Sequence, residues 1–192
     1  ARNRPLGVER EQELTGAGVS YCATCDGMFF RGRQVAVAGG GNTALEDAAF
    51  LAHYCERVYV VHRRDQFRGE ERLVENLRQK ENVEFVLNSV VEELLGEGML
   101  EGVRIRDVAT KEEKVLPVSG LFVAVGQMPD NDGFAGVVTL DDKGYIQAAE
   151  DCRTEAPGIF VAGDCRTKEV RQLATAAADG AVAALAACEY IG

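Results

Sequence analysis

The feature that most constrains the fold of this chain is a glycine-rich stretch that follows a short apolar run. Residues 34–38 are rich in valine and alanine, and they lead directly into three consecutive glycines at 39–41. Residues 42–54 then carry the spacing of a helix, which Asn42 is placed to cap. The sequence therefore predicts a strand, a glycine turn and a helix, the first part of a dinucleotide-binding unit.

Strands and helices continue to alternate beyond this unit. Residues 57–62 form a second β-branched run, residues 69–80 an amphipathic helix, and residues 83–87 a third strand. This alternation predicts an α/β fold with a Rossmann-like parallel sheet. In two later segments, 103–108 and 114–118, apolar and polar residues alternate, which predicts an antiparallel ribbon.

The C-terminal part of the chain differs in character. Residues 121–125 are continuously apolar and predict a strand that runs into a loop, and residues 159–162 repeat that pattern and predict another strand. Residues 170–191 are rich in alanine and predict a long helix. We expect this part to be a second, partial domain.

Charge and composition exclude several classes of function. The sequence has 21 Lys and Arg against 31 Asp and Glu, a formal net charge of −10, which repels nucleic-acid phosphates and anionic lipid. The most apolar stretch is interrupted by Asp179 and Glu189, and a bilayer-crossing helix needs roughly 20 apolar residues. Residues 1–13 lack the apolar segment of a secretion signal. We therefore expect a cytoplasmic protein with no membrane span and no nucleic-acid partner.

The glycine turn has the pattern G-x-G-x-x-A, formed by Gly39, Gly41 and Ala44 with Asn42 and Thr43 between them. The first glycine makes the tight turn, the second lets a pyrophosphate approach the backbone, and the alanine lets helix and strand close up. The pyrophosphate would then lie at the helix N-terminus. A tight turn without a ligand is the alternative, and we favour a dinucleotide site.

The residues that follow the second strand indicate which dinucleotide is bound. Where an NAD-binding fold offers a carboxylate to the ribose, this chain has His62, Arg63 and Arg64, and Arg68 follows in the loop. Guanidinium groups suit a 2′-phosphate, which predicts NADPH rather than NADH. A solvated basic loop is the alternative for the arginines, and a packing or surface role is the alternative for His62.

A C-x-x-C pair, Cys22 and Cys25, lies upstream of the glycine turn. This spacing permits a disulfide and lowers the pKa of a thiol from about 8.5 toward about 7. Zinc would need a second close pair of ligands, which the other cysteines and the two histidines do not offer. We predict redox chemistry and no metal. Asp26 follows directly and can exchange a proton with a departing thiolate; a simple turn is the alternative.

These motifs, in this order, resemble low-molecular-weight bacterial thioredoxin reductase. The resemblance covers nearly the whole chain, and the segments that carry it are residues 18–27, 35–44, 62–68, 158–164 and 171–174.

The resemblance implies a flavoprotein with two dinucleotide-binding domains, one for NADPH and one for FAD. We expect residues 1–20 to be a linker or residual FAD-domain segment, 21–120 the NADPH-binding domain with the dithiol, and 121–192 the C-terminal segment of the FAD domain. Family members begin with an FAD fingerprint of their own, which this sequence does not contain. We therefore expect the chain to be the C-terminal part of a longer enzyme.

The activity that the resemblance implies is thioredoxin-disulfide reduction. Electrons would pass from NADPH through FAD to the Cys22–Cys25 disulfide and then to thioredoxin. Cys25 would face the flavin, Cys22 would attack the thioredoxin disulfide, and Asp26 would be the acid–base partner of the dithiol.

The resemblance also implies which residues hold the flavin. Gly163 and Asp164 would lie at the FAD ribityl chain, and Arg171, Gln172 and Leu173 would approach the isoalloxazine ring. A helix cap or loop role is the alternative for Asp164. The full-length protein would be a homodimer.

Two other functions remain open from the sequence. A flavoprotein reductase of a peroxiredoxin system resembles the same family but usually carries an additional N-terminal dithiol module. A non-catalytic NADP(H)-binding fragment is the alternative from another class.

Overall fold

The computed structural model describes residues 1–192, and their contacts divide the chain into two units. The larger unit is residues 3–126, and the smaller is residues 1–2 with 127–192. Short 3-10 helices cover Gly27–Phe30 and Asp132–Phe134. The other elements, in chain order, are β1 (Arg2–Asn3), β2 (Val19–Ser20), α1 (Ala23–Asp26), β3 (Gln34–Gly39), α2 (Asn42–Leu51), β4 (Arg57–Val61), α3 (Glu71–Arg78), β5 (Val83–Val86), β6 (Ser89–Leu95), β7 (Gly102–Asp107), β8 (Glu113–Leu116), β9 (Gly120–Ala124), β10 (Gln127–Met128) and α4 (Leu173–Ile191).

Five strands of the larger unit form a parallel sheet in the order β2-β9-β3-β4-β5. In the middle of the sheet, Val35 of β3 lies between Gly120 of β9 and Val58 of β4. The predicted α/β fold with a parallel sheet is therefore confirmed.

Both faces of this sheet are covered, which explains why its strands are continuously apolar. Side chains alternate between the faces, so Val35 and Val37 of β3 pack with α2 and α3 in one core. Ala36 and Ala38 face the opposite way and join a second core with residues of β6, β7 and β8. The two cores hold the ends of β3, β4 and β9 in fixed register.

The predicted antiparallel ribbon is present but has a third strand. β7 pairs with β8 as expected, and β6 pairs with the other edge of β7. The sequence prediction missed β6 because it lacks regular alternation: a bulge between Val91 and Glu93 shifts its register.

The smaller unit consists mainly of loops and α4. Its core is formed by Val138, Ile146 and Val161. The strand predicted over 159–162 is wrong, because only Phe160 pairs there, in a single bridge with Arg153. One bridge without neighbours is not a ladder, so no strand forms.

Helix α4 begins three residues later than predicted and lies largely exposed. By length and composition alone it is the one helix that meets the requirements of a membrane span. Its mean hydropathy over 18 residues is 1.2, and 11% of those residues are buried. One such helix is weak grounds for a membrane span. Its central carboxylate, Asp179, is paired with Arg166 and Lys168 of the same unit.

The division into units differs from the predicted domain limits. β9 begins at Gly120 and lies between β2 and β3, so residues 121–126 belong to the larger unit. Residues 3–20 also belong there, because Leu14 and Val19 are buried in its core. The assignment of the units to NADPH and FAD stays a prediction.

Candidate functional site

The C-x-x-C pair forms a disulfide at the start of α1. The Cα atoms of Cys22 and Cys25 are 5.3 Å apart. Cys25 is exposed and Cys22 is half-buried. Because neither cysteine is buried, the disulfide can meet another molecule.

The surroundings of the two sulfurs are not equivalent. The backbone N–H of Cys25 donates to Cys22 Sγ at 3.2 Å, and the hydroxyl of Thr24 lies 3.4 Å from the same atom. Donors near a sulfur stabilise its thiolate after reduction. The geometry therefore favours Cys22 as the attacking thiolate.

The carboxylate of Asp26 is held by a buried serine. Ser20 Oγ donates to Asp26 Oδ2 at 2.7 Å and accepts from the N–H of Cys22 at 3.1 Å. Ser20 ends β2, whose pairing with β9 fixes its position. Sequence reasoning missed Ser20, although it lies within the resembling segment.

A cleft of about 480 Å³ opens at the carboxyl ends of β3, β4 and β9, the edge at which parallel α/β sheets bind ligands. Predicted cofactor residues in its lining are Gly39, Gly41, Thr43, His62, Arg63 and Arg68. Residues that no sequence motif had indicated also line it: Arg4, Leu6, Ser89, Val91, Ala124 and Gly126.

The glycines of the turn differ in the space that a side chain would have. A Cβ on Gly39 would collide with the carbonyl oxygen of Ala124 and lie 2.7 Å from Ala44 Cβ. A Cβ on Gly41 would meet no protein atom within 4 Å. The space beside Gly41 is therefore open to a ligand, as a pyrophosphate-binding turn requires.

His62 packs against the middle glycine. A Cβ on Gly40 would collide with the imidazole, whose ring stacks on Phe67 with centroids 5.3 Å apart. Burial lowers the pKa of His62, and Arg68, Arg63 and Arg64 lower it further. A neutral imidazole at pH 7 fits the packing role that the sequence left open.

Two predicted residues are placed differently from the expectation. Arg64 is exposed and does not line the cleft. The prediction that Asn42 caps α2 is wrong, because Gly41 is the cap residue. The side chain of Asn42 instead contacts Glu70.

The predicted flavin residues lie in the smaller unit. Asp164 Oδ1 and Arg171 Nε are buried without hydrogen-bond partners, at a cost of about 1–3 kcal/mol each if they stay unpaired. The guanidinium carbon of Arg171 lies 4.0 Å from the ring centroid of Tyr145. An acceptor and a donor left open in this way fit a ligand that carries hydroxyl and carbonyl groups.

The other residues predicted to contact the flavin lie at the start of α4 and in the turn before Asp164. Gln172 and Leu173 are exposed at the start of α4. Gly163 has φ +86°, which favours glycine, and its N–H donates to Asp179 Oδ2 at 2.9 Å. That bond fixes the turn that carries Asp164.

Asp179 is the centre of a buried ion cluster that the sequence did not reveal. Its carboxylate accepts from Arg166 Nε at 2.7 Å, from Arg166 Nη2 at 2.8 Å and from Lys168 Nζ at 2.9 Å. The hydrogen bonds from Arg166 hold the pKa of Asp179 well below its usual range. Two cations at one carboxylate join α4 to the loop with the predicted flavin residues.

The remaining cysteines have no comparable arrangement. Burial raises the pKa of Cys55 to about 11 and also raises the pKa of Cys152. Neither thiol is in a disulfide, and both are poor nucleophiles at neutral pH.

Comparison with known proteins identifies the family. The profile described as "Pyridine nucleotide-disulphide oxidoreductase" matches residues 1–181. The chain therefore belongs to the pyridine nucleotide-disulphide oxidoreductase family. The cleft at the strand ends and the surface disulfide are the elements that this description leads one to expect.

Within this family, the chain is similar to proteins named thioredoxin reductase. It is 43% identical to those of Listeria monocytogenes and Mycolicibacterium smegmatis over all of its length, covering 60% and 62% of theirs. The solved thioredoxin reductase of Streptococcus pyogenes MGAS5005 superposes with a TM-score of 0.87 at 39% identity, covering 100% of this chain and 63% of that one. The chain thus spans about 60% of its relatives' length. The resemblance and the fold class are confirmed.

The open space at Gly41 generates a paired test. We expect Gly41→Ala to lower the free energy of unfolding by no more than about 1 kcal/mol, because Gly41 is the cap residue of α2, and to weaken pyridine-nucleotide binding by about tenfold, because the methyl group occupies ligand space. We expect Gly39→Ala to lower the free energy of unfolding by about 1–3 kcal/mol, because its methyl group meets the protein. Urea denaturation and calorimetric titration measure both effects. Equal stability losses would contradict the assignment of the open space to a ligand.

The ion cluster generates a test with a pH dependence. Asp179→Ala leaves buried Lys168 without a carboxylate and leaves buried Arg166 with only the exposed Glu150, 3.6 Å away, so we expect it to lower the free energy of unfolding by about 3–5 kcal/mol at pH 7. The carboxylate's contribution is complete above its unfolded pKa of about 3.9 and is lost as the pH falls below it. The difference between wild type and variant should therefore shrink below about pH 4. Glu189→Ala, which removes an exposed partner of Arg153, is the control and should change little.

Proposed function

We propose that this chain carries the NADPH-binding and dithiol elements of a thioredoxin-disulfide reductase that uses FAD. The observation that carries the proposal is the presence, in one unit, of an accessible Cys22–Cys25 disulfide and a cleft at the carboxyl ends of the parallel strands with a basic rim. A binding module without redox chemistry would have no need of the disulfide.

The rim of the cleft supports NADPH as the electron donor. Arg63 and Arg68 line it, and no carboxylate does. In a chain with a net charge of −10, a region that has cations and lacks carboxylates is suited to a phosphate. Guanidinium groups bind a 2′-phosphate through paired hydrogen bonds.

The dithiol would reduce its substrate by two exchange steps. The Cys22 thiolate attacks one sulfur of the substrate disulfide, forms a mixed disulfide and displaces the first substrate thiolate. The Cys25 thiolate then attacks Cys22 Sγ, which re-forms the Cys22–Cys25 disulfide and releases the second substrate thiolate. Two electrons have moved to the substrate. Asp26, held by Ser20, would supply a proton to a departing thiolate.

The smaller unit supports a flavin as the group between donor and disulfide. Asp164 Oδ1 would accept from a ribityl hydroxyl, and Arg171 Nε would donate to a ring carbonyl. Gly163, Gln172 and Leu173 would complete the contacts predicted from the sequence. A bound flavin would supply two-electron chemistry between the nicotinamide and the disulfide.

The surface beside the disulfide supports a protein as the substrate. Met28 and Phe29 lie three and four residues after Cys25 and are 48% and 77% exposed. Exposed apolar side chains beside a reactive group suit a protein–protein contact. Proteins named thioredoxin reductase are the relatives of this chain, so thioredoxin is the proposed partner. The homodimer that the resemblance implies stays a prediction.

The proposal is tested with the full-length natural protein. We expect flavin absorbance in the purified protein and NADPH-dependent reduction of thioredoxin, and we expect Cys22→Ser and Cys25→Ser each to abolish that reduction. Cys188→Ser replaces an exposed thiol outside the pair and should leave the rate unchanged. A protein that carries flavin and reduces a different disulfide partner would refute thioredoxin as substrate, and a protein without flavin would refute the enzyme.

The roles of the two sulfurs are tested separately. A thioredoxin with one active-site cysteine, activated as an aromatic mixed disulfide, reports attack by the release of coloured thiol. We expect Cys25→Ser, which keeps Cys22, to react about tenfold faster than Cys22→Ser, since Cys22 Sγ has the nearby donors. Faster reaction of Cys22→Ser would reverse the assignment.

A further inference from the structure

The loop between β4 and α3 carries Arg63 and Arg68, and it is tied to the glycine turn. The carbonyl oxygen of Gly40 accepts from the N–H of Arg68 at 2.7 Å and from the N–H of Gly69 at 3.2 Å. The predicted phosphate-binding side chains are therefore attached to the turn that would hold the pyrophosphate. Two backbone hydrogen bonds therefore hold the loop against the glycine turn at Gly40.

A side-chain pair closes the same contact at a second point. Asn42 Oδ1 accepts from the N–H of Glu70 at 2.8 Å, and Asn42 Nδ2 donates to Glu70 Oε1 at 3.1 Å. Asn42 is the first residue of α2 and Glu70 is the cap residue of α3. The pair therefore joins the starts of the two helices that flank the loop. We call it the Asn42–Glu70 clamp.

We propose that the Asn42–Glu70 clamp is a positioning device that sets the preference for NADP(H) over NAD(H). The inference rests on the proposed use of NADPH. A loop that is already ordered loses less conformational freedom when its arginines bind a 2′-phosphate. NAD(H) has no 2′-phosphate and gains nothing from the order of the loop.

The clamp also holds the negatively charged carboxylate of Glu70 in hydrogen bonds. The carboxylate of Glu70 lies in the loop that would bind a phosphate, where a free carboxylate would repel it. Asn42 Nδ2 occupies one carboxylate oxygen, and Arg72 lies 3.4 Å from the other. Substitutions of Glu70 therefore have to separate the effect of charge from that of the hydrogen bond.

The experiment compares the Kd of NADP⁺ with the Kd of NAD⁺ by calorimetric titration of the full-length natural protein and its variants. Asn42→Ala removes both side-chain bonds and keeps the backbone N–H groups of the turn. We expect it to raise the Kd of NADP⁺ about fivefold to tenfold and to leave the Kd of NAD⁺ within about twofold. A merely structural role would weaken both dinucleotides together.

Two further variants isolate the hydrogen bond. Glu70→Ala and Glu70→Gln both remove the charge, but only Gln can still accept from Asn42. We expect the Kd of NADP⁺ to be about threefold lower for Glu70→Gln than for Glu70→Ala. Glu71→Ala, the adjacent exposed carboxylate outside the clamp, is the matched control and should behave as wild type.

The outcomes separate this inference from the proposed function. A wild type that binds NAD⁺ as tightly as NADP⁺ would overturn both. A wild type that prefers NADP⁺, with an unchanged NADP⁺-to-NAD⁺ ratio in Asn42→Ala and no difference between the two Glu70 variants, would overturn the clamp alone. A rise in the ratio of the Kd of NADP⁺ to the Kd of NAD⁺, confined to Asn42→Ala and Glu70→Ala, supports it.

Discussion

The carbonyl oxygen of Gly40 is the point on which the nucleotide cleft depends. It accepts two backbone N–H groups of the loop after β4, while the imidazole of His62 packs on the same residue. A carbonyl can accept two hydrogen bonds, so one glycine connects the turn after β3 with the loop after β4. The carboxyl ends of two neighbouring strands are thereby joined at the edge where parallel sheets bind ligands.

The sequence was sufficient where function depends on local spacing. The alternation of apolar runs and helical segments that begins at the glycine turn predicted a parallel sheet, and the structure contains one. The C-x-x-C spacing predicted a disulfide-forming pair, and the two cysteines are joined. In both cases local patterns determine the geometry, so no information about distant contacts was needed.

The sequence was not sufficient where a role depends on a partner far along the chain. Asn42 is of a residue type that often caps helices, but its side chain contacts Glu70, which lies 28 residues further along the chain. Asp179 interrupts an apolar helix, and only the fold shows that Arg166 and Lys168 neutralise it. β6 was missed because its bulge breaks the alternation that identifies a strand. Such pairings follow from tertiary packing, which a local pattern does not record.

We propose that the turn at residues 39–43 and the loop at residues 62–70 form one binding site for a 2′-phosphorylated dinucleotide. Hydrogen exchange of the backbone amides, measured with and without NADP⁺, is the decisive test. We expect NADP⁺ to slow exchange in both segments together, and NAD⁺ to slow it mainly in the turn. Protection by NADP⁺ that is absent from residues 62–70, or that lies outside both segments, would show that the turn and the loop are not one site.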